Sequence, residues 1–522
     1  MSTRKKIAIV GSGISGLGAL YTLRNTNHNV HLFEAGDRLG GHTNTLPFKH
    51  NDKTIMVDTG FIVMNTATYP NFIPFLKALG IDIVPTAMTF GVSRDYGLFE
   101  WSGTSLASIF AQKENILRPS FWRMIFDIIR FNLFALDVLT EVDGTLNNDN
   151  EMSIGEYLDR EGYSDVFRDD YLVPMTACVW STDADKCALA FPAVTLIRFM
   201  WNHHLLSTIA KRPDWLTIPG GSKRYIDALM KDFPRSNVHL STPVKSVRNT
   251  ADGQVVLLLD NGKEETFDEV ILACHGDQAC KIIKPSASHL EMDIMQNFTT
   301  SPNKVYMHSD RSVSLHGLFS FVVIISWMLT KYTQLLPQRE IAWSAWNYLT
   351  TSASKTSSAS PSGSLDQVSL TYNMNILQHI PTSEYGNVLV TMNPPHKPDP
   401  ALTQAEVSYR HPLYNAAAVR AQCRLNEIQG KRGLWYCGAW TNYGFHEDGF
   451  ASGMEVGRRL GGDVPWEVVD AKFVRGRKPV LGWKDHVARL IINLMQMLVV
   501  TVTLLWTTGH SSVVAFKKEK LK

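Results

Sequence analysis

The chain has 522 residues, with 51 Lys and Arg against 49 Asp and Glu, and a formal net charge of +2. That length exceeds a single compact core and points to two interleaved domains, while the near-balanced charge, with no basic stripe, excludes nucleic acid as an expected partner. The six cysteines (Cys178, Cys187, Cys274, Cys280, Cys423 and Cys437) form no CxxC pair, so no zinc or thioredoxin-like site is indicated, no metal is expected, and they read as buried thiols of a reducing compartment.

The basic start Arg4-Lys5-Lys6 runs straight into an apolar run, so no signal peptide is expected and the protein reads as intracellular, cytoplasmic or membrane-associated. Ile7 to Val10 fits a fully buried strand. Gly11, Gly13 and Gly16 then make a GxGxxG turn onto Leu17, Ala19, Leu20 and Leu23, which have helical spacing. A second apolar strand, Val30 to Phe33, ends at Glu34. Strand, glycine turn, helix, strand and acid together are the dinucleotide fingerprint in its required context. Gly11 allows the tight turn, Gly13 a close approach of backbone to pyrophosphate, and Gly16 close packing of helix on sheet. The helix N-terminus at Ile14 and Ser15 offers N–H groups to the phosphates, and Glu34, followed by Ala35, can accept from a ribose.

The motif alone does not separate NAD from FAD. Asp37-Arg38-Leu39-Gly40-Gly41-His42, however, resembles the second glycine motif of the flavin amine oxidase superfamily, and Val57-Asp58-Thr59-Gly60-Phe61 resembles the segment that follows it there. The resemblance implies FAD, with Arg38, Gly40, Gly41, Gly60 and Phe61 on the cofactor. An Arg commonly follows the paired glycines in amine oxidases. Here the residue is His42, included among the cofactor residues by position, and no side-chain role carries over to it.

Residues 66–215 lose glycines and take on helical patterns, as in Asn71 to Leu79 and Phe121 to Val138. Asn147 to Asn150 reads as a loop. Ser153 is an N-cap with Glu156 three residues on. Pro219-Gly220-Gly221-Ser222 brings the chain back, and strands are expected at Val238 to Leu240, Val244 to Val247, Val255 to Leu259 and Phe267 to His275. Val244 stands where the superfamily makes a backbone contact to adenine, and an ordinary core valine reads equally well.

Val313 to Gln334 is apolar, has Gly317 as its single turn residue, and fits neither flank. Without it the chain reads HSDRSLLPQREIAWSAWNY, which resembles an uninterrupted segment of a bacterial, plant and fungal group of flavin oxidoreductases. Two readings are open. The stretch is a translated, unspliced intron: a Val codon begins with GT, a Gln codon can end in AG, and Leu329-Thr330 can encode a branch point. Or it is a membrane-contacting helix, whose apolar centre, Leu318 to Leu329, is short of the roughly 20 residues that span a bilayer. Thr351 to Ser364 reads as a surface loop.

Gly433 to Gly453 reads as a strand, Leu434 to Cys437, then Gly438-Ala439-Trp440, then a helix beginning near Glu447-Asp448-Gly449-Phe450. It resembles the C-terminal flavin motif of the superfamily, where a helix N-terminus faces the pyrimidine end of the flavin and its dipole favours negative charge there. Past Gly461 the superfamily fold is complete. The apolar tail from Leu490 onward, ahead of Lys517, Lys518, Lys520 and Lys522, suggests membrane association, with a helix over 490–508 or one docked on the protein's own surface.

The fold class expected from the resemblance is α/β: a Rossmann-like FAD-binding domain interleaved with an α+β substrate domain, plus an apolar C-terminal helix. Residues 1–65, 216–285 and 406–465 would form the FAD-binding parts, 66–215 and 286–405 the substrate parts, and 466–522 the tail. FAD should be bound without a covalent bond, because Cys437 sits on the strand itself. Amine oxidases flank the substrate with two aromatic rings, for which Tyr443 and Phe445 are candidates, and many carry a lysine at flavin N5, for which Lys304 is the candidate. FPAVTLIRFMWNHHLL and RPDWLTIPGGSKRYIDAL resemble amine-oxidase-like proteins also found fused ahead of plant cyclopropane fatty acid synthases. By that analogy a lipid or acyl substrate competes with an amine. The alternatives to an oxidoreductase are a non-catalytic FAD-binding partner of a lipid-modifying enzyme, and an inactive product of the retained intron.

Overall fold

The computed structural model describes residues 4–95, 97–141, 152–180, 189, 191–206, 213–311, 335–350, 369–476 and 478–498. The loop at 147–150, the stretch at 313–334, the serine-rich stretch at 351–364 and the end of the apolar tail lie outside the described residues.

The fold is organised on a five-stranded parallel sheet. Its strands are β1 (Lys6–Val10), β2 (Asn29–Phe33), β3 (Val238–His239), β4 (Glu269–Leu272) and the later Leu434–Tyr436, in the order β3, β2, β1, β4, Leu434–Tyr436. A central parallel strand is covered on both faces, which is why Ile7, Ala8, Ile9 and Val10 are all buried and read as an unbroken apolar run. The helix after the glycine turn, α1 (Ile14–Leu23), is buried along its whole length.

What buries it comes from the far end of the chain. Helix α2 (His446–Arg459) lies along α1, and the contact is built from missing side chains. A Cβ on Gly453 would overlap the Ser15 carbonyl oxygen; one on Gly457 would sit 2.7 Å from Thr22 Cβ, and one on Gly18 2.7 Å from the Phe450 carbonyl oxygen. Two helices can approach this closely only where both backbones are bare.

The second sheet has seven strands, in the order Thr403–Leu413, Thr299–His308, Leu389–Met392, Ser369–Asn373, Trp346–Thr350, Phe90–Arg94, Phe99–Ser102. Strands from both substrate stretches therefore share one sheet. Thr403–Leu413 crosses the boundary expected at 405 and pairs with Thr299–His308 over its length. Helices Pro119–Phe134, Ile154–Arg160 and Ala193–Asn202 form a separate apolar layer beside it. Ser153 and Glu156 form the anticipated capping box.

Among the described residues no helix is long and apolar enough to cross a membrane. Residues 483–498 are helical, held by Arg489, which donates to Asp137 Oδ1 at 2.8 Å and to the Leu133 carbonyl at 2.5 Å. Leu490, Ile491, Leu494 and Leu498 on it are exposed. The membrane helix expected over 490–508 is therefore not found up to residue 498, and its remainder lies outside the described residues.

Candidate functional site

The glycine turn leaves β1 with Gly11 at φ +104°, and a Cβ there would stand 2.6 Å from the Ala273 carbonyl oxygen of the neighbouring strand connection. Two steps on, a Cβ at Gly13 would meet nothing within 4 Å. The paired-glycine loop crosses directly opposite: a Cβ on Gly41 would lie 3.2 Å from Gly13 Cα, and the Gly40 N–H donates to the Ser12 carbonyl at 3.1 Å. Gly13 and Gly41 thus touch backbone to backbone, while the side on which a Gly13 Cβ would project is open and forms a candidate groove. Arg38 is exposed and holds this loop from outside, donating to the carbonyls of Gly41 at 2.8 Å and Thr43 at 3.1 Å.

At one end of the groove Glu34 Oε2 accepts from Ser12 N at 2.9 Å and from Ser12 Oγ at 2.5 Å, while Oε1 accepts from Gly36 N at 2.8 Å. Oε1, with one bond accepted, keeps a lone pair for a ribose hydroxyl. Ala35 is exposed beside it, and Val244 is half-buried on a strand paired to Val255–Leu259. Towards the other end, Gly60 packs on the His42 carbonyl, and the Phe61 N–H donates to that carbonyl at 3.0 Å. The Phe61 ring stacks on His446, the first residue of α2, with centroids 3.7 Å apart. The first turn of α2 touches the glycine turn: a Cβ on Gly449 would reach 2.6 Å from Ile14 Cγ2. Gly438 precedes this turn, its N–H donating to Ser452 Oγ at 3.0 Å. The line of contacts therefore runs from Glu34 through Ser12 and the open side of Gly13 to the N-terminus of α2. An open backbone cradle with helix N-termini at its middle and end fits a dinucleotide with an electron-rich ring at the far side.

Several sequence expectations change here. Glu447 is buried, but its carboxylate is occupied by Asn71 Nδ2 at 2.7 Å, Asn71 N at 3.1 Å and Phe72 N at 2.9 Å, so its side chain ties α2 to the helix Phe72–Ala78 instead of touching a cofactor. Phe450 is likewise core, packed on Phe75 with centroids 4.7 Å apart. Tyr443 and Phe445 both lie against Phe199 of the helical layer, at 5.7 and 5.0 Å, in one apolar cluster. Lys304 is exposed and ion-paired with Glu406 on the outer face of the second sheet, at 2.5 Å. It cannot serve at a flavin, because strand alternation turns its neighbour Asn303, not Lys304, inward.

What does surround His42 is a set of rings not singled out above. Tyr409 stacks on it at 4.9 Å, His411 meets it at 5.1 Å and His275 at 5.7 Å. Tyr409 and His411 come from one face of Thr403–Leu413, two residues apart; that spacing in YRH is the signal the sequence carried. Burial holds all three imidazoles neutral: it moves His42 well below the usual range, lowers His275, and brings His411 to about 4. Among the described residues no group of His, Cys, Asp or Glu has metal-binding geometry, this trio included.

Burial also raises Glu447 to about 8. An unfolded glutamate titrates near 4.5, so between these values the folded chain keeps a proton that the unfolded chain releases. The stability from Glu447 is complete below the unfolded value and is lost as pH rises through about 8. Thermal melting should therefore drop as pH rises from about 4.5 to about 8, with no further contribution from Glu447 above that. Glu447→Gln should flatten that slope by up to one proton, ~1.4 kcal/mol per pH unit. Parallel slopes in melts of the two proteins would refute this.

A family profile described as flavin containing amine oxidoreductase matches residues 14–460. The L-amino-acid oxidase of Demansia vestigiata is 48% identical over 44 residues, so the match spans 8% of this chain and 8% of that relative. Among solved structures, a conjugated-linoleic-acid-producing fatty acid isomerase from P. acnes is similar with a TM-score of 0.58 at 12% identity, covering 88% of this chain and 100% of that one. Cyclohexylamine oxidase from Brevibacterium oxydans IH-35A is similar with a TM-score of 0.56 at 13% identity, covering 88% and 98%.

Proposed function

The chain belongs to the flavin-containing amine oxidoreductase family, whose members are FAD-dependent oxidoreductases, and from that premise we propose that it takes hydride from a small organic or lipid substrate. When bound, FAD supplies the hydride acceptor at its N5. The chain's own residues bind and orient. Gly13, with Gly41 packed against it, leaves its open side to the pyrophosphate, and the first turn of α1 presents N–H groups to it. Glu34 accepts from the ribose. Phe61 and the loop from Gly438 wall the ring end, and the α2 N-terminus favours the negative charge that develops there. Cys437 is fully buried next to the central sheet, which favours a cofactor held without a covalent bond.

The observation that carries this reading is the bare-backbone contact of α1 with α2, which sets the phosphate turn and the ring-end helix on one groove. The test is direct. Purified protein should be yellow, and acid precipitation should release all the colour into the supernatant. Anaerobic addition of amines or unsaturated acyl lipids should bleach the flavin's visible band for the true substrate class. Colourless protein that takes up no added FAD would overturn the proposal.

A further inference from the structure

The polar wall beside His42 carries a directional hydrogen-bond chain. It begins at a donor that has no choice: the Lys304 backbone N–H donates to Asn393 Oδ1 at 2.9 Å. Asn393 must then use its Nδ2 on the other side, and it donates to Asn303 Oδ1 at 2.5 Å. Asn303 in turn has only its Nδ2 left, which donates to His411 Nδ1 at 2.6 Å and reaches the Ser301 carbonyl at 3.5 Å. An imidazole nitrogen that accepts cannot carry the proton, so the hydrogen of neutral His411 sits on Nε2. Both asparagines are buried, while His411 is partly open, so the chain runs from the sheet interior to the edge of the groove.

Of the nearby carboxylates three are occupied, while Asp277, close enough to act on His275, keeps a buried Oδ1 with no hydrogen-bond partner. Asp58 is occupied by Thr45, Ser222 and Gln378, Glu447 by Asn71 and Phe72, and Asp448 by Asn442 and Phe445. The rings next to His411 are His42, His275 and Tyr409, and His42 Nε2 is buried with no hydrogen-bond partner. A neutral donor and an unused acceptor therefore stand together at the ring end of the groove.

We propose that Asn393 and Asn303 are positioning residues that present His411 as a fixed Nε2–H donor to the substrate, and that the substrate offers it a carbonyl or carboxyl oxygen. This rests on the flavoenzyme reading and narrows it to a substrate class.

Histidine-selective ¹⁵N labelling of the full-length protein tests the first part without turnover. The signal lost in His411→Gln identifies the ring, which should show a pyridine-type Nδ1 and a pyrrole-type Nε2. In Asn303→Asp the carboxylate can only accept, so the proton should move to Nδ1, or both nitrogens should carry one. Asn303→Ser, whose hydroxyl can still donate, should restore the wild-type pattern; Asn303→Leu should not. With flavin content unchanged, Asn303→Asp should lose about tenfold or more in kcat/KM, the scale of one hydrogen bond to a polar substrate group, and Asn303→Ser should recover it. Anaerobic flavin bleaching by an unsaturated fatty acid or ketone, weakened in His411→Phe, supports the substrate class. Three results would overturn the proposal: a protonated Nδ1 in the wild type, the same tautomer and turnover in Asn303→Asp, or bleaching by a primary amine that His411→Phe leaves untouched. Absence of any flavin would instead strike the underlying reading and leave the tautomer measurement standing.

Discussion

Gly453→Ala is expected to yield little folded protein and no bound flavin. The substitution sets two effects against each other. Alanine in a helix interior is worth about 1 kcal/mol over glycine, so on propensity alone α2 would gain. Against this, the new Cβ would overlap the Ser15 carbonyl oxygen, and Ser15 lies in a helix buried on every side. Overpacking costs ~1–3 kcal/mol when side chains can shift. Here both partners are backbone, so relief requires α1 and α2 to part, and the cost should exceed the upper end of that range. Parting them also opens the groove between Gly13 and the first turn of α2. Gly457→Ala, which meets the side chain of Thr22, should be milder. Glu455→Ala, on the exposed face of the same helix, is the control. Thermal melting and the flavin-to-protein absorbance ratio read the result. A Gly453→Ala protein with unchanged melting and full colour would refute the packing argument.

The second large effect concerns residues 313–334. The described residues on either side of this stretch are joined to each other: Arg311 pairs with Glu340, and its guanidinium lies 4.9 Å from the Trp343 ring centroid. Leu335 and Leu336 are buried at once on re-entry. The chain leaves the second sheet from Thr299–His308 and re-enters it three strands along at Trp346–Thr350, but residues 311 and 340 on the two sides of the stretch are held together, as they would be around a removable insertion. Deleting 313–334 should therefore leave the fold intact and raise the yield of soluble yellow protein severalfold, as a gain of one to two kcal/mol in stability, on the order of what shifts cellular abundance, would. The same deletion giving insoluble or flavin-free protein would show that the stretch belongs to the working molecule. The genomic sequence is the independent check: a Gln334 codon other than CAG rules out the intron.

The first strand, glycine turn, helix and second strand were legible because parallel strands are buried on both faces and spell themselves as apolar runs. The C-terminal helix was legible from the resemblance of Gly433 to Gly453 to the flavin motif, and it starts at His446, one residue before the position read from the sequence. Lys304 was misplaced for a definite reason. The run Ser301-Pro302-Asn303-Lys304 is polar throughout, so nothing in it reveals which residues of the strand face inward, and a shift of one residue exchanges the faces. Asn303 and His411 were out of reach because their contact depends on register between distant strands. Asn303 stands opposite Tyr409, which puts His411 on the diagonal, and no local pattern encodes that pairing. Tyr443 and Phe445 show the converse limit: aromatic residues beside a cofactor motif can belong to the adjoining core.

The bare contact between α1 and α2 also sets a schedule for synthesis. The phosphate turn leaves the ribosome well ahead of its covering helix, which ends at Arg459. Until then the nascent N-terminal unit carries an uncovered apolar helix and half a groove. Cofactor capture thus waits until the covering helix has been made. A ribosome stalled in the middle of the message would hold a chain that needs a chaperone and has no means of binding flavin.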